Sequence, residues 1–417
     1  MNWIANPYRP GAGHMPLHVA GREPEQTEFR KLLGQEVILS NAVVTGMRGV
    51  GKTVLLERFR EIAVDAGWLW VGTDLSEANS LSEERIAARL ITDLALATSR
   101  FVVSSRQSLS RIGFGSTSSR REQTLDYELL TRVYEGAPGL PSDKLKQVLT
   151  LAAEVVEPRG IVFAYDEAQN LSDHASAKEY PLALLLDVFQ SIQRREVRFM
   201  LVLSGLPMLF SRLVDSRTYA ERMFRVLQIE RLDEASSREA IVRPPEVTRS
   251  PLRFDAAAVA AIVEASRGYP YFIQFICHEA FAMIAQEQGG RRFVVPARDI
   301  IRKLDHDFFA ARWSRATDRQ RELLLLAARL ERAEVEEFTP AELVESSRAG
   351  PGKPFSSSGL TQMLAALCEI GLVYKNRRGA YSFAVPLFGG FLRRQAGIDD
   401  KPARTGGRAR GGKRAAR

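Results

Sequence analysis

Cysteine is almost absent from the sequence. Cys277 and Cys368 are the only two among 417 residues, and each stands alone in an apolar helical pattern. A disulfide framework needs several cysteines in a short chain, so that class of protein is excluded and a reducing cytoplasm is predicted. Histidine is nearly as rare, and the pair four residues apart, His14 and His18, lies in a segment rich in proline and glycine. We therefore expect no structural zinc.

Long apolar runs are missing as well. The longest, such as residues 256–263, are far shorter than the roughly 20 residues that a membrane-spanning helix needs. The first ten residues have no basic stretch followed by an apolar one, so no signal peptide and no membrane partner are predicted. Apolar residues make up 45% and charged residues 26% of the chain, as in ordinary globular proteins, and the length allows two or three domains.

Net positive charge is concentrated in two segments. The net charge is +8, but residues 401–417 hold seven basic side chains and no acid, which leaves +1 for the first 400 residues. Residues 397–417 are therefore predicted to be a disordered basic tail that either attaches weakly to nucleic acid or only keeps the chain in solution. Residues 99–121 hold five arginines, Arg106 and Arg111 among them, and no acid, which predicts an exposed basic loop or hairpin.

Short apolar strands alternate with helical patterns in the first part of the chain. These strands are predicted at residues 42–45, 68–73, 160–165, 199–203 and 225–229. The alternation predicts an α/β fold in which a parallel sheet is sandwiched by helices. From Asp233 to about Ala316 the pattern is helical throughout, which predicts a separate helical lid.

Residues 46–53 form a complete phosphate-binding loop, Gly-x4-Gly-Lys-Thr, between a strand and a helix. The glycines let backbone N–H groups turn toward phosphates, and the helix N-terminus adds positive potential. Lys52 is expected to reach the β- and γ-phosphates, and the Thr53 hydroxyl to ligate Mg²⁺. The predicted cofactors are ATP and Mg²⁺. The predicted loop contacts are Gly46, Met47, Arg48, Gly49, Val50, Gly51, Lys52, Thr53 and Val54.

An acidic pair follows the buried strand at 160–165. Asp166 is expected to hold Mg²⁺, and Glu167 to polarise the attacking water as general base. Such a pair also occurs as an ordinary helix cap, so the upstream phosphate loop is what makes it a candidate catalytic site.

The chain after Thr317 predicts three helices followed by a β-hairpin. This order is the layout of a winged helix-turn-helix. The turn of the hairpin holds Arg377 and Arg378, which suits phosphate contact, whereas the third helix, residues 359–370, has no Lys or Arg. A helix that reads bases normally carries more polar side chains, so the unit either contacts DNA without much sequence preference or docks a protein.

Together these motifs resemble AAA+ ATPases of the origin-recognition initiator type and their relatives among the STAND signalling ATPases. The resemblance covers roughly residues 6–395. It implies that Arg22, in the stretch Gly21-Arg22-Glu23, contacts the adenine, and that Ser204 senses the γ-phosphate. It also implies an oligomer in which an arginine finger reaches a neighbour's nucleotide, and Arg222 is the predicted finger, with Arg217 and Arg225 as rivals.

The sequence departs from the initiator pattern in two places. The lid stretch Gly268-Tyr-Pro-Tyr271 lacks the second-sensor arginine and has the Gly-x-Pro form of the STAND relatives, which implies that Pro270 contacts the nucleotide site by packing. Lys52 and Asp166 are 114 residues apart, which is long for this class and reflects an inserted segment with the basic stretch.

These observations leave two functions open. The first is an ATP-hydrolysing switch or motor that acts on double-stranded DNA through the winged helix and basic segments. The second is a signalling ATPase whose winged helix contacts protein instead. The predicted divisions are an arm at 1–35, an ATPase core at 36–232, a lid at 233–316, a winged helix at 317–396 and a tail at 397–417.

Overall fold

The structure is a computed structural model. It describes residues 5–11, 13–76, 82–107, 119–156, 160–286, 297–330, 337–350, 353–375 and 379–398. The chain separates into two compact units, with the division after Ile300. No helix in the described ranges is long and apolar enough to cross a bilayer. The five-part division predicted from the sequence is finer than these two units and stays a prediction.

The first unit holds seven described strands and the helices between them. The strands are β1 (Asn41–Gly46), β2 (Leu69–Val71), β3 (Val102–Gln107), β4 (Ser119–Thr124), β5 (Ile161–Tyr165), β6 (Phe199–Gly205) and β7 (Phe224–Ile229). The helices are α1 (Glu23–Leu33), α2 (Lys52–Asp65), α3 (Glu83–Thr98), α4 (Tyr127–Gly136), α5 (Pro141–Val156), α6 (Pro181–Gln193), α7 (Leu209–Ser216), α8 (Ala220–Met223), α9 (Glu234–Val247), α10 (Ala256–Ser266) and α11 (Pro270–Gln286).

Five of these strands form one parallel sheet in the order β2-β5-β6-β1-β7. Every residue of β1, β5 and β6 is buried, because helices pack against the sheet, and this burial explains why their sequences are apolar without alternation. In the core, the Phe163 ring lies 5.1 Å from that of Phe189 and 5.4 Å from that of Phe199. The predicted α/β fold is confirmed.

The inserted segment between β2 and β5 is mainly helical. Helices α3, α4 and α5 pack on one another, and α3 and α5 contact α6. Strands β3 and β4 pair only with each other within the described residues, so the predicted basic stretch is a hairpin there. Arg106 lies directly opposite Arg120 in the register, whereas Arg111 falls outside the described residues.

Helices α9, α10 and α11 follow the sheet, as the helical pattern predicted. Gly268 has φ 77° and its carbonyl accepts a hydrogen bond from Leu232 N at 2.8 Å. A Cβ at this position would lie 2.2 Å from Leu232 O, so the close approach of the two segments requires glycine. This contact fixes the start of α11 against the end of the sheet.

The second unit combines helices with a small antiparallel sheet of order β8-β10-β9. Its strands are β8 (Glu337–Phe338), β9 (Val373–Lys375) and β10 (Tyr381–Phe383). Its helices are α12 (Ala297–Leu304), which crosses the division, α13 (Ala310–Trp313), α14 (Asp318–Leu330), α15 (Pro340–Ala349), α16 (Ser357–Glu369) and α17 (Phe388–Gln395). Helices α14, α15 and α16 followed by the β9-β10 hairpin match the predicted order of elements.

Local signals in the sequence explain two of these helix starts. Thr339 and Glu342 form a capping box at α15, and Thr317 and Gln320 exchange the equivalent bonds before α14. The assignment of the unit as a winged helix stays a prediction, and its Arg377 and Arg378, like the tail at 401–417, lie outside the described residues. Strand β8 and helix α17 were not predicted.

Candidate nucleotide site

The phosphate-binding loop joins the end of β1 to the start of α2. Gly49 has φ 78° and Gly51 has φ 94°, in the left-handed region where other residues are strained. At Gly46 a Cβ would lie 2.4 Å from Ile229 O, so the approach to β7 also requires glycine. Backbone turned in this way at a helix N-terminus favours an anion. The remaining predicted loop residues, Met47, Arg48, Val50 and Val54, lie in the same loop and first turn.

Lys52 is buried within this loop. Its side chain is turned back on the loop, where Nζ donates to Gly46 O and Met47 O, both at 2.9 Å. Burial lowers the pKa of Lys52, and the negative charges of Asp166 and Glu167 oppose that shift. A phosphate could offer this buried ammonium charge-assisted hydrogen bonds, which are stronger than its bonds to the two neutral carbonyls.

Asp166 is the point where several elements of the site meet. Thr53 Oγ1, on α2, donates to Asp166 Oδ2 at 2.6 Å, and Ser204 Oγ, on β6, donates to Oδ1 at 2.7 Å. Ser204 is fully buried and Asp166 is 5% exposed. These contacts follow from the strand order, because β6 lies between β1 and β5 and all three end at the same edge of the sheet. Three residues predicted from separate parts of the sequence are therefore in contact.

The oxygens gathered at this point suit a small hard cation. Mg²⁺ prefers carboxylate and hydroxyl oxygens, and the Thr53 hydroxyl and Asp166 carboxylate are already within hydrogen-bond distance of each other. The residues thus fit the ion, and they are the ones that would hold it. When bound there, Mg²⁺ would supply positive charge to the phosphate oxygens.

Glu167 follows Asp166 in a strained conformation, with φ 51°. A non-glycine residue in the left-handed region costs on the order of 1 kcal/mol, and such strain is concentrated at functional sites. The Glu167 carboxylate accepts a hydrogen bond from Gln169 Nε2. Gln169 was missed from the sequence, where it is only a polar residue in the short turn after the acidic pair.

Asp74 is a further acid that sequence reasoning missed. It follows β2 and forms a parallel bridge with Asp166, because β2 neighbours β5 in the sheet. Desolvation raises the pKa of Asp74, and the negative charges of Asp166 and Glu167 raise it further. The carboxyl edge of the sheet therefore carries concentrated negative charge beside the phosphate loop.

The helical region contacts the phosphate loop through the start of α11. Tyr271 N donates to Gly49 O at 3.3 Å, and a Cβ at Gly51 would lie 3.9 Å from Pro270 Cγ. Pro270, predicted from the Gly-x-Pro pattern, thus packs on the loop, and Tyr271 adds a backbone contact that the pattern did not indicate. A movement of α11 would therefore displace the phosphate loop.

Arg22 lies behind the phosphate loop. Its Nη2 donates to Val50 O at 3.0 Å and to Glu230 O at 2.6 Å, and burial lowers its pKa. The guanidinium therefore ties the loop to the segment after β7. The predicted contact of Arg22 with adenine stays a prediction.

The N-terminal arm passes from the helical region to the phosphate loop. The Tyr8 hydroxyl donates to Ile241 O at 2.5 Å, and Asn6 Nδ2 donates to His278 O at 2.9 Å. Farther along the arm, a Cβ at Gly13 would lie 3.5 Å from Thr53 Cγ2. The proline- and glycine-rich composition predicted an extended arm but gave no sign of these contacts.

The three candidate finger arginines lie at the opposite edge of the sheet. Phe224 pairs with Asn41 at the start of β1, about 16 Å from the phosphate loop at ~3.3 Å per residue. Arg217 forms two hydrogen bonds with Asp187, and Arg225 pairs with Glu28 at 3.0 Å. Arg222 is exposed, and its guanidinium bonds to no other described residue. The structure does not bring Arg222 to the phosphate loop of its own chain.

Comparisons with known proteins match both units. A model of the AAA ATPase domain family matches residues 18–237, more than half of the chain, and a domain of unknown function (DUF8462) matches residues 306–392. No curated protein matches the sequence.

Three solved structures are similar over most of their length. A Walker-type ATPase of Pyrococcus abyssi is 15% identical with a TM-score of 0.55, covering 90% of this chain and 96% of its own. The ORC2 protein of Aeropyrum pernix in its ADP form is 17% identical, with a TM-score of 0.49 and coverage of 93% and 97%. Cdc6p from Pyrobaculum aerophilum is 16% identical, with a TM-score of 0.48 and coverage of 93% and 97%. At 15% identity the first likeness shows a shared fold.

Proposed function

This chain belongs to the AAA ATPase domain family, and from that membership we propose that it binds ATP with Mg²⁺ and hydrolyses it as a switch or motor. The observation that carries the proposal is the junction at Asp166, where the Thr53 and Ser204 hydroxyls share one carboxylate beside Lys52 and Glu167. An acid, two hydroxyls and a buried lysine at the end of a phosphate loop are the groups that phosphoryl transfer to water requires.

Each residue of the site has a separate role in the proposed reaction. The loop and Lys52 hold the β- and γ-phosphates, and Thr53 and Asp166 hold Mg²⁺. Glu167 accepts the proton of a water molecule as its oxygen attacks the γ-phosphorus and the bond to the β-phosphate oxygen breaks. The products are ADP and inorganic phosphate.

We propose further that Arg222 completes the site of a neighbouring copy. Its place at the amino edge of the sheet is too far from its own phosphate loop for a role there. Arg217 and Arg225 are engaged with Asp187 and Glu28, whereas Arg222 is exposed. A free guanidinium of this kind can neutralise charge that develops on the γ-phosphate.

The inserted hairpin supports double-stranded DNA as the partner. Residues 99–121 hold five arginines and no acid, and in the register of β3 and β4 Arg106 pairs with Arg120. Such an excess of basic residues favours binding to the phosphates of duplex DNA. The basic tail at 401–417 and the pair Arg377 and Arg378 add to this charge by sequence alone.

The test is ATP turnover by the purified protein, with and without duplex DNA, at low and moderate salt. We expect Mg²⁺-dependent turnover that DNA stimulates and that salt suppresses. A chain without the tail, with Arg106, Arg111, Arg377 and Arg378 replaced by serine, should lose salt-sensitive DNA binding. Unchanged DNA affinity in that variant would contradict a role for DNA.

A second candidate, a signalling ATPase with a protein partner, is favoured by the contact between α11 and the phosphate loop. Tyr271 N and Pro270 touch the loop by backbone and apolar atoms, so nucleotide can be sensed by packing. The absence of Lys and Arg from residues 359–370 points the same way. ATP-dependent oligomerisation with turnover indifferent to DNA would favour this candidate.

A further inference from the structure

Gln169 occupies the short turn Ala168–Asn170 directly after the acidic pair, and its side chain is 8% exposed. Both ends of its amide are engaged. Nε2 donates to the Glu167 carboxylate, and Oε1 accepts from Leu206 N at 3.1 Å. Because an amide has its donor and acceptor on the same carbon, Gln169 connects Glu167 with the segment at the end of β6.

The surroundings of Gln169 are shaped to hold it. A Cβ at Gly205 would lie 2.5 Å from Gln169 Oε1 and 2.9 Å from Leu209 Cδ2, so only glycine leaves room for the amide. In addition, Arg212 Nη1 donates to Gln169 O at 2.6 Å and to Ser172 Oγ at 3.2 Å. The backbone and the side chain of Gln169 are therefore fixed independently.

The segment that holds the amide also carries the expected phosphate sensor. Ser204 bonds to Asp166, and Leu206 lies two residues farther along the same segment. A shift of this segment toward or away from a phosphate would move Leu206 N, and with it the amide that bonds to Glu167.

We propose that Gln169 is a positioning residue that aims the Glu167 carboxylate according to where the Ser204–Leu206 segment lies. This role rests on the proposed hydrolysis of ATP by Glu167. In the proposed reaction Gln169 contacts neither the attacking water nor the nucleotide, and it acts only through the Glu167 carboxylate that it holds.

The first test is Gln169→Met, which keeps the length of the side chain and removes both hydrogen bonds. Single-turnover hydrolysis of ATP should slow about tenfold or more, because small misplacement of a catalytic group is costly. The Kd for a non-hydrolysable ATP analogue should stay within about threefold, which separates this role from nucleotide binding. Unchanged or faster hydrolysis in a folded variant would overturn the proposal.

Gln35→Met is the matched control. Gln35 also engages both ends of its amide, with Ser40 O and the N–H groups of Leu39 and Ser40, but it lies before β1, away from the phosphate loop. This variant should lower the melting temperature without slowing hydrolysis. An equal slowing in both variants would assign the effect to stability and overturn the role of Gln169.

Gly205→Ala and a double variant complete the test. Gly205→Ala should displace the Gln169 amide without altering it, so it should reproduce the slowing of hydrolysis. It can be used in place of Gln169→Met if that variant fails to fold.

In a Glu167→Gln background, Gln169→Met should cause no further slowing of hydrolysis, since the two residues act as one unit. An undiminished further loss there would overturn the proposal. Equal rates in wild type and Glu167→Gln would instead overturn the proposed function.

Discussion

The two edges of the parallel sheet carry ionisable groups in opposite arrangements. At the carboxyl edge, Lys52 and Asp166 are buried, and the carboxylate is bonded to its neighbours. At the amino edge, Arg222 is exposed and bonds to no other described side chain, while Arg217 and Arg225 pair with acids at the surface. The buried, hydrogen-bonded groups at the carboxyl edge suit a ligand bound by the same chain. The exposed cation at the amino edge suits a ligand bound by a neighbouring copy.

Lys52→Ala should produce the largest change, a loss of about 100-fold in ATP affinity, because a hydrogen bond between charged groups contributes about 1.5–3 kcal/mol. Titration with a fluorescent ATP analogue measures it. Lys31→Ala, which removes an exposed lysine paired with Glu28, is the control and should bind normally. Equal affinity in the two variants would contradict the assignment of the carboxyl edge.

Arg222→Ala should slow turnover about 100-fold with little change in ATP affinity, because the finger acts on charge that develops during the reaction. Arg217→Ala and Arg225→Ala, which break surface ion pairs, are matched controls and should change turnover far less.

Mixing variants shows whether Arg222 acts on a neighbour. Lys52→Ala keeps its arginine but cannot hold nucleotide, and Arg222→Ala keeps its nucleotide site. A mixture should recover part of the turnover that neither variant has alone. No recovery, in a mixture shown to co-assemble, would mean that Arg222 does not act between copies.

Replacing Arg106 and Arg120 by serine should weaken duplex binding about tenfold at low salt and reduce the salt slope by about one to two, since each phosphate contact contributes about 0.9. Fluorescence anisotropy over a salt series measures both. Replacing Ser105 and Gln123 by alanine in the same hairpin is the control. An unchanged salt slope would show that the hairpin does not bind DNA, and it would favour the signalling alternative.

Asp74→Asn should give the smallest effect, a slight rise in melting temperature at neutral pH. A carboxyl whose pKa is raised in the folded protein costs stability once the pH exceeds its ordinary value of 3.8, because the fold holds that charge less readily than the unfolded chain. Since Asp74 is exposed, we expect less than about 1 kcal/mol. The rise in melting temperature should vanish when the pH is below the ordinary pKa. A lower melting temperature of the variant at neutral pH would contradict the concentrated negative charge described at the carboxyl edge.

The sequence was informative where chemistry demands fixed residues in a continuous stretch. The loop at 46–53 and the pair Asp166 and Glu167 could be predicted because phosphate and magnesium chemistry limits which residues can stand there. Ser204 could be placed only by resemblance, yet the strand order brings it onto Asp166. The sheet strands were predictable because burial on both faces makes them continuously apolar.

The contacts that were missed depend on which elements become neighbours. Asp74 reaches the site because β2 lies beside β5, and Gln169 reaches Leu206 because β6 lies on the other side. Tyr271 contributes a backbone N–H, a group that every residue but proline has, so its identity gives no signal. Contacts between residues that are far apart in the sequence depend on the packing of the fold, and no local sequence pattern indicates them.

The most direct test of the hydrolytic site is the fate of bound ATP in Glu167→Gln. This change removes the acceptor for the water proton and leaves the phosphate loop and Asp166 in place. We expect ATP affinity within about threefold of wild type. Single-turnover hydrolysis should be slower by at least about 100-fold, which is the lower end of what a general base usually contributes to the rate. ATP that stays bound and intact is the predicted result. Hydrolysis at the wild-type rate would contradict the assignment of Glu167 and, with it, the proposed mechanism.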